Sequence, residues 1–220
     1  MARYFDSASS QKLSIDSAVV TGAPFTLACW FRADNTNSDQ GLISLADKDV
    51  NNQFFFLRLD GITPVLTARA GSGGTTGTAQ TSTQASANTW HHGVAVFSAA
   101  NDRAVYLDGA GKGTNTTSVT PTGIDQTAVG VLTRLTPVSF MLGRIAEAAI
   151  WNVALSDDDV ASLSKGFSPL LIRPQSLAAY WPLFGNDSPE PDRWTGSFNL
   201  TVTGATKEEH VRIYYPWGMP

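Results

Sequence analysis

Asn88-Thr89-Trp90-His91-His92-Gly93-Val94-Ala95-Val96-Phe97, followed by Ala104-Val105-Tyr106-Leu107-Asp108-Gly109, reads as two β-strands joined by a polar turn from Ser98 to Arg103. An Asp-Gly pair closes the second strand, and such pairs favour the tight turns of antiparallel hairpins. Upstream, Phe25, Leu27, Cys29 and Phe31 alternate with Thr26, Ala28, Trp30 and Arg32, so both faces of that strand carry bulk and it is expected to be central. Downstream, Gly143 to Trp151 reads as a long late strand.

Shorter strands are expected at Ala2 to Phe5, Leu13 to Ile15, Leu42 to Leu45, Phe54 to Leu59, Thr114 to Val119 and Ala128 to Leu132. Gly71 to Ala87 is built of Gly, Ser, Thr, Gln and Ala, which fits a hairpin of small side chains or a long loop, with Thr favouring the hairpin. One short helix is expected over 156–165. Ser156 can cap it, Asp157, Asp158 and Asp159 suit its positive end, and Gly166 can end it. Helix-dipole compensation accounts for those three carboxylates without a metal.

The chain has 220 residues, enough for one large core, and its 15% charged content is low for a globular protein. A net charge of −4 and the absence of any Lys/Arg run exclude phosphate-driven nucleic-acid binding. No apolar run is long enough for a membrane span, and no apolar leader follows Met1, so synthesis in the cytoplasm without export is expected. Cys29 alternates with core residues and reads as a buried thiol.

In order along the chain, Phe25 to Phe31, Trp90-His91-His92-Gly93-Val94, Tyr106-Leu107-Asp108-Gly109 and Gly143 to Ser156 resemble the laminin-G-like, concanavalin A-like family. The resemblance implies an all-β antiparallel jelly-roll β-sandwich, here a single domain over 1–207 followed by an aromatic C-terminal strap over 208–220. It also implies either a binding module or a glycosidase. The closing segments, Leu177 to Leu183, Ser188-Pro189-Glu190, Leu200 to Gly204 and Glu209-His210, resemble a subgroup associated with tailed-phage virions.

Glycosidases of this fold resemble one another in a Glu-x-Asp-x-x-Glu strand motif, whose paired carboxylates serve as nucleophile and acid/base. Only four glutamates occur here, and Glu147 has no second carboxylate two or four residues away. Three histidines and one cysteine do not make a zinc set, and no Gly-rich phosphate loop carries a lysine. A non-enzymatic protein with no required cofactor is expected.

Asp47, Asp49 and Asn51 place oxygens at alternate positions, as a calcium loop does, though no Gly or Glu stands where an EF-hand needs them. Calcium at a rim loop is therefore an open alternative to a solvated turn. For glycans, Trp194 with its neighbours Asp192 and Arg193 offers an aromatic platform beside polar groups. Trp30, Trp90, Trp151 and Trp181 are expected in the core. The tail residues Tyr214, Tyr215 and Trp217 either pack back on the sandwich or dock on a partner.

The leading expectation is an accessory structural protein decorating the capsid or tail of a phage-like virion, on whose surface it would lie. Its partners would be other virion proteins, cell-surface glycans or further copies of the chain, without nucleic acid or membrane insertion. The alternative is an extracellular carbohydrate-binding module, with calcium as an open requirement. A glycosidase ranks last.

Overall fold

A computed structural model describes residues 1–185, 187–209 and 213–215. The strands in chain order are β1 (Ala2–Phe5), β2 (Lys12–Ile15), β3 (Phe25–Ala33), β4 (Gln40–Ala46), β5 (Gln53–Leu59), β6 (Val65–Ser72), β7 (Thr75–Gln84) and β8 (His91–Ala99). They continue with β9 (Asp102–Leu107), β10 (Ala110–Asn115), β11 (Gln126–Val129), β12 (Gly143–Trp151), β13 (Leu177–Trp181), β14 (Thr201–Thr203) and β15 (Thr206–Glu208). One α-helix, α1 (Asp157–Ser164), and two 3₁₀ turns, Pro169–Leu171 and Pro174–Ser176, lie between β12 and β13.

The strands form two antiparallel sheets. The first runs β10-β9-β8-β3-β12-β1-β15, with β13 also pairing β12; the second runs β14-β2-β11-β4-β5-β6-β7. The expected β-sandwich is therefore present, and β3 is central, between β8 and β12. Alternation on β3 aims Phe25, Leu27, Cys29 and Phe31 into the core between the sheets, where they meet Phe55, Leu57, Leu66 and Ala68 of the second. Asp108 and Gly109 both take positive φ, 55° and 73°, as a tight hairpin turn into β10 requires.

The segment read as hairpin or loop is a hairpin, β6–β7, and it begins earlier than expected, at Val65. Its small side chains have a steric cause. A Cβ on Gly77 would fall 1.6 Å from the guanidinium of Arg103, a fully buried arginine of β9 that crosses between the sheets at this edge. The strand expected over 114–119 lies earlier, as β10, because the Asp108-Gly109 turn fixes its register against β9. Val119 is buried outside any strand.

The outward face of the first sheet is sealed by the chain itself. Val160 and Leu163 of α1, with Leu155 and Leu170, pack on Val94, Val96, Tyr106 and Trp151. The capping box forms as read, Ser156 accepting from Asp159 N–H while the Asp159 carboxylate accepts from Ser156 N–H. Trp151 and Trp181 are fully buried, but Trp30 and Trp90 are only half-buried. Trp30 faces outward on β3 beside His92, near the end of the covered area, and Trp90 precedes β8.

The tail folds back. Tyr214 bridges to Phe167 through backbone hydrogen bonds, and the Tyr215 hydroxyl donates to Glu147 Oε1 at 2.6 Å. Trp217 lies outside the described residues. Since β15 pairs with β1, the sandwich extends through Glu208. No helix among the described residues is long and apolar enough to cross a membrane.

Candidate functional site

The outward face of the second sheet carries no covering helix among the described residues. On β5, Phe55, Leu57 and Leu59 point to the core, so Phe54, Phe56 and Arg58 point out. Register places Gly71 opposite Phe54, Arg69 opposite Phe56 and Thr67 opposite Arg58. Gly71 leaves room for the Phe54 ring, since a Cβ there would sit 2.6 Å from it. The segment from Leu132 to Ser139 packs over the β4 side, with Leu132 and Val138 against Phe54 and Phe56.

The result is a cavity of about 440 Å³ with an apolar floor and polar walls. One wall is the β6–β7 hairpin, with Ser72, Thr75 and Thr76; the other carries Asn51, Asn52 and Arg134. The Asn52 amide and the Thr76 hydroxyl make no hydrogen bond among the described residues, and Thr76, opposite Gly71, stands on the open face. A few free polar groups over an apolar floor are the usual make-up of a small-ligand site.

Arg58 is structural. It donates to Asp39 and to Asp60 Oδ2 at 2.6 Å, and to Thr67 Oγ1 at 3.2 Å. Arg69 is not so provided. It lies 5.9 Å over the Phe54 ring, makes no hydrogen bond or ion pair, and its buried Nε has no partner. Burial pulls it below the usual guanidinium range, with the charge of Arg58 acting in the same direction. Arg134 donates to the carbonyls of Asn51 at 2.7 Å and Thr136 at 3.2 Å, and has no carboxylate partner.

The residues singled out by sequence are dispersed. Asp192 is buried and organises its own loop, its Oδ1 accepting from the backbone N–H of Tyr180, Trp194 and Thr195. Arg193 reaches Asp187 at 3.1 Å on the surface, and Trp194 is 42% exposed above this turn. Asp192 is thus spent on the loop, which leaves Trp194 without the polar companion expected of it. Asp47 and Asp49 do come together, joined by Asp125, with carboxylate oxygens within 4.8 Å of one another. The Lys48 ammonium already sits 2.5 Å from Asp125 and 3.7 Å from Asp49, a cation supplied by the chain. Asn51 turns away, accepting from Thr136 N–H at 2.9 Å at the groove rim.

His91 places Nδ1 2.7 Å from Asp108 and Nε2 3.1 Å from Ser86 Oγ, a Ser-His-Asp order in space. The Ser86 backbone N–H also points at Nε2, at 3.1 Å, and so competes for its single lone pair. Glu147 is enclosed by the hydroxyls of Tyr180 and Tyr215, and Glu190 pairs with Arg3 at 2.8 Å.

A family model described as the concanavalin A-like lectin/glucanases superfamily matches residues 6–161, more than half of the chain. The chain belongs to this superfamily. Among curated proteins none matches it by sequence. Solved structures of similar shape include a candidate carbohydrate-binding protein of Bacteroides ovatus, with TM-score 0.68 and 20% identity, covering 94% of this chain and 59% of that one. The chain thus spans about three-fifths of that protein. The CBM40 of a Ruminococcus gnavus IT-sialidase, bound to α2,3-sialyllactose, has TM-score 0.58 and 15% identity, over 66% of this chain and 84% of that one. Domain 4 of a Geobacillus stearothermophilus extracellular arabinanase, with arabinotriose, has TM-score 0.57 and 20% identity, over 67% and 70%. At these identities the concanavalin A-like likeness shows the fold alone.

Proposed function

We propose that this concanavalin A-like domain is a non-catalytic carbohydrate-binding module whose site is the groove on the open face of the second sheet. The observation that carries the reading is the cavity itself: Phe54 at its base, with Phe56 buried beneath it, under the unspent Thr76 hydroxyl, Asn52 amide and Arg69 guanidinium. Sugar rings match such a surface, with C–H faces for the floor and hydroxyls for the walls. The three neighbours described above, each named for carbohydrate binding or solved with a saccharide, support the same direction. No catalytic step is assigned: Glu147 is held by tyrosine hydroxyls, Glu190 by Arg3, and His91 accepts from a backbone N–H.

The virion expectation draws no support from these neighbours. Tyr215, offered above as a docking residue, is engaged with Glu147 of its own sandwich.

A glycan array read with the full chain and with Thr76→Trp, which fills the groove, tests the proposal. Binding by the full chain and its loss in the variant are expected; a flat response, or binding that survives the filled groove, overturns it. Reading the array with calcium and with EDTA, for the full chain and for Asp49→Asn, tests whether binding depends on a metal at the Asp47–Asp49–Asp125 cluster. The groove's one lining carboxylate, Asp39, is already taken by Arg58.

A further inference from the structure

Three arginines line the groove, Arg58, Arg69 and Arg134, against one carboxylate, Asp39. This local excess of positive charge stands on a chain whose net charge is −4. The three cations differ in how they are satisfied. Arg58 is neutralised by Asp39 and Asp60. Arg134 spends donors on two backbone carbonyls, which orient it but leave its charge uncompensated. Arg69 spends none: half-buried beside a phenyl ring, with Arg58 as neighbour, it has no acceptor among the described residues.

A partly desolvated guanidinium with no bonded acceptor costs free energy that the Phe54 ring and the more distant charges of Asp39 and Asp60 offset only in part. Surface arginines avoid this by turning to water or to a carboxylate. Arg69 instead rises from the middle of β6, its stem held between β5 and β7 and its head over Phe54. Its position is therefore preset, and its guanidinium is left open to an acceptor entering the groove.

Resting on the carbohydrate reading above, we infer that the groove selects saccharides bearing a carboxylate, with Arg69 as the anchor of that group and Arg134 as a second cation on the facing wall. A planar carboxylate matches the guanidinium fork through two parallel N–H···O contacts, which a neutral hydroxyl cannot reproduce. The ring of the same sugar would lie against Phe54, with Asn52 and Thr76 for its hydroxyls.

The test is an array of carboxylated, sulfated and neutral saccharides, read at physiological ionic strength with the full chain, Arg69→Gln, Arg69→Lys and Arg193→Gln. Arg193 makes the same charge change outside the groove. Carboxylated saccharides are expected to bind. Arg69→Gln should weaken them by about tenfold or more, a loss appropriate to a charged hydrogen-bonded pair. Arg69→Lys should recover part of the loss, and Arg193→Gln should change nothing. Arg69→Gln should melt no lower than the parent, since it removes an unpaired charge, so its loss is not unfolding.

Neutral saccharides bound as well as carboxylated ones, with Arg69→Gln silent, would overturn the inference and leave the carbohydrate reading standing. Sulfated glycans bound equally tightly, with Arg193→Gln as damaging as Arg69→Gln, would mean diffuse attraction and also overturn it. Binding of no saccharide class would remove both.

Discussion

The two outward faces of this sandwich are made from the same kind of alternating strand and have opposite fates. On the first sheet, α1, Leu170 and Tyr215 lie over Val94, Val96, Tyr106 and Trp151, and Trp151 Nε1 beneath them donates to Ile172 O at 2.8 Å. On the second sheet a small apolar strip, Phe54, Phe56 and Leu132, lies beneath an open groove in which Arg69, Asn52 and Thr76 have no hydrogen-bond partner among the described residues. The covered face contributes stability; the open face retains unmet hydrogen-bonding and charge capacity. The second condition is what a binding site needs, and it explains why the groove and not the exposed Trp194 is taken as the site.

This contrast predicts that damage to the covered face appears in stability and damage to the open face in binding. The largest effect is expected from Trp151→Ala, which empties the fully buried centre of the covered face and should cost roughly 3–5 kcal/mol in urea unfolding. An equal loss from Thr76→Trp on the open face would break the comparison.

Next comes pH. His92, buried on the covered side with an unpaired Nδ1, is pushed down from 6.5 to about 4 by burial, against the pull of Asp108. It stays neutral in the fold while the unfolded chain takes up a proton. Its contribution is therefore whole above pH 6.5 and falls as pH drops towards about 4, by roughly 3 kcal/mol in all. Unfolding at pH 7 and pH 4.5 should show this slope, and His92→Gln should flatten it.

Smaller still, Tyr215→Phe removes one hydroxyl donor to the buried Glu147 and is expected to cost roughly 1.5 kcal/mol, with no change of mass in light scattering. A change of mass would return Tyr215 to a docking role. The smallest effect, within about 0.5 kcal/mol, is expected for Thr76→Trp on stability.

What could be read from sequence follows from how local its cause is. The β3 alternation, the Asp108-Gly109 turn and the Ser156–Asp159 capping box are each set within a few residues, and each is found in place. The β6–β7 hairpin was legible only in part. Position 77 must be a glycine because Arg103, from a strand of the other sheet, occupies the space, and nothing within 65–84 reveals that neighbour. Trp30 and Trp90 were expected in the core on strand pattern, yet a strand has two faces and the pattern does not say how far the outer one is covered.

The groove was not legible because it needs the cross-strand register of β5 and β6 and the fold-back of 132–139. One signal was available: Arg58 and Arg69 are charges inside otherwise apolar strands. The site residues chosen instead, Trp194 and Asp47 with Asp49 and Asn51, were chosen for residue type, and the fold spends Asp192 and Asn51 on its own loops.

The groove and the Trp194 loop are separated by where the ligand sits. Amide NMR of the full chain, titrated with the tightest carboxylated saccharide from the array, tests it most directly. Shifts confined to Phe54–Arg58, Arg69–Thr76 and Leu132–Ser139 are expected, with Asp187–Ser197 unmoved. Shifts centred on Trp194, with the open face of the second sheet silent, would contradict it.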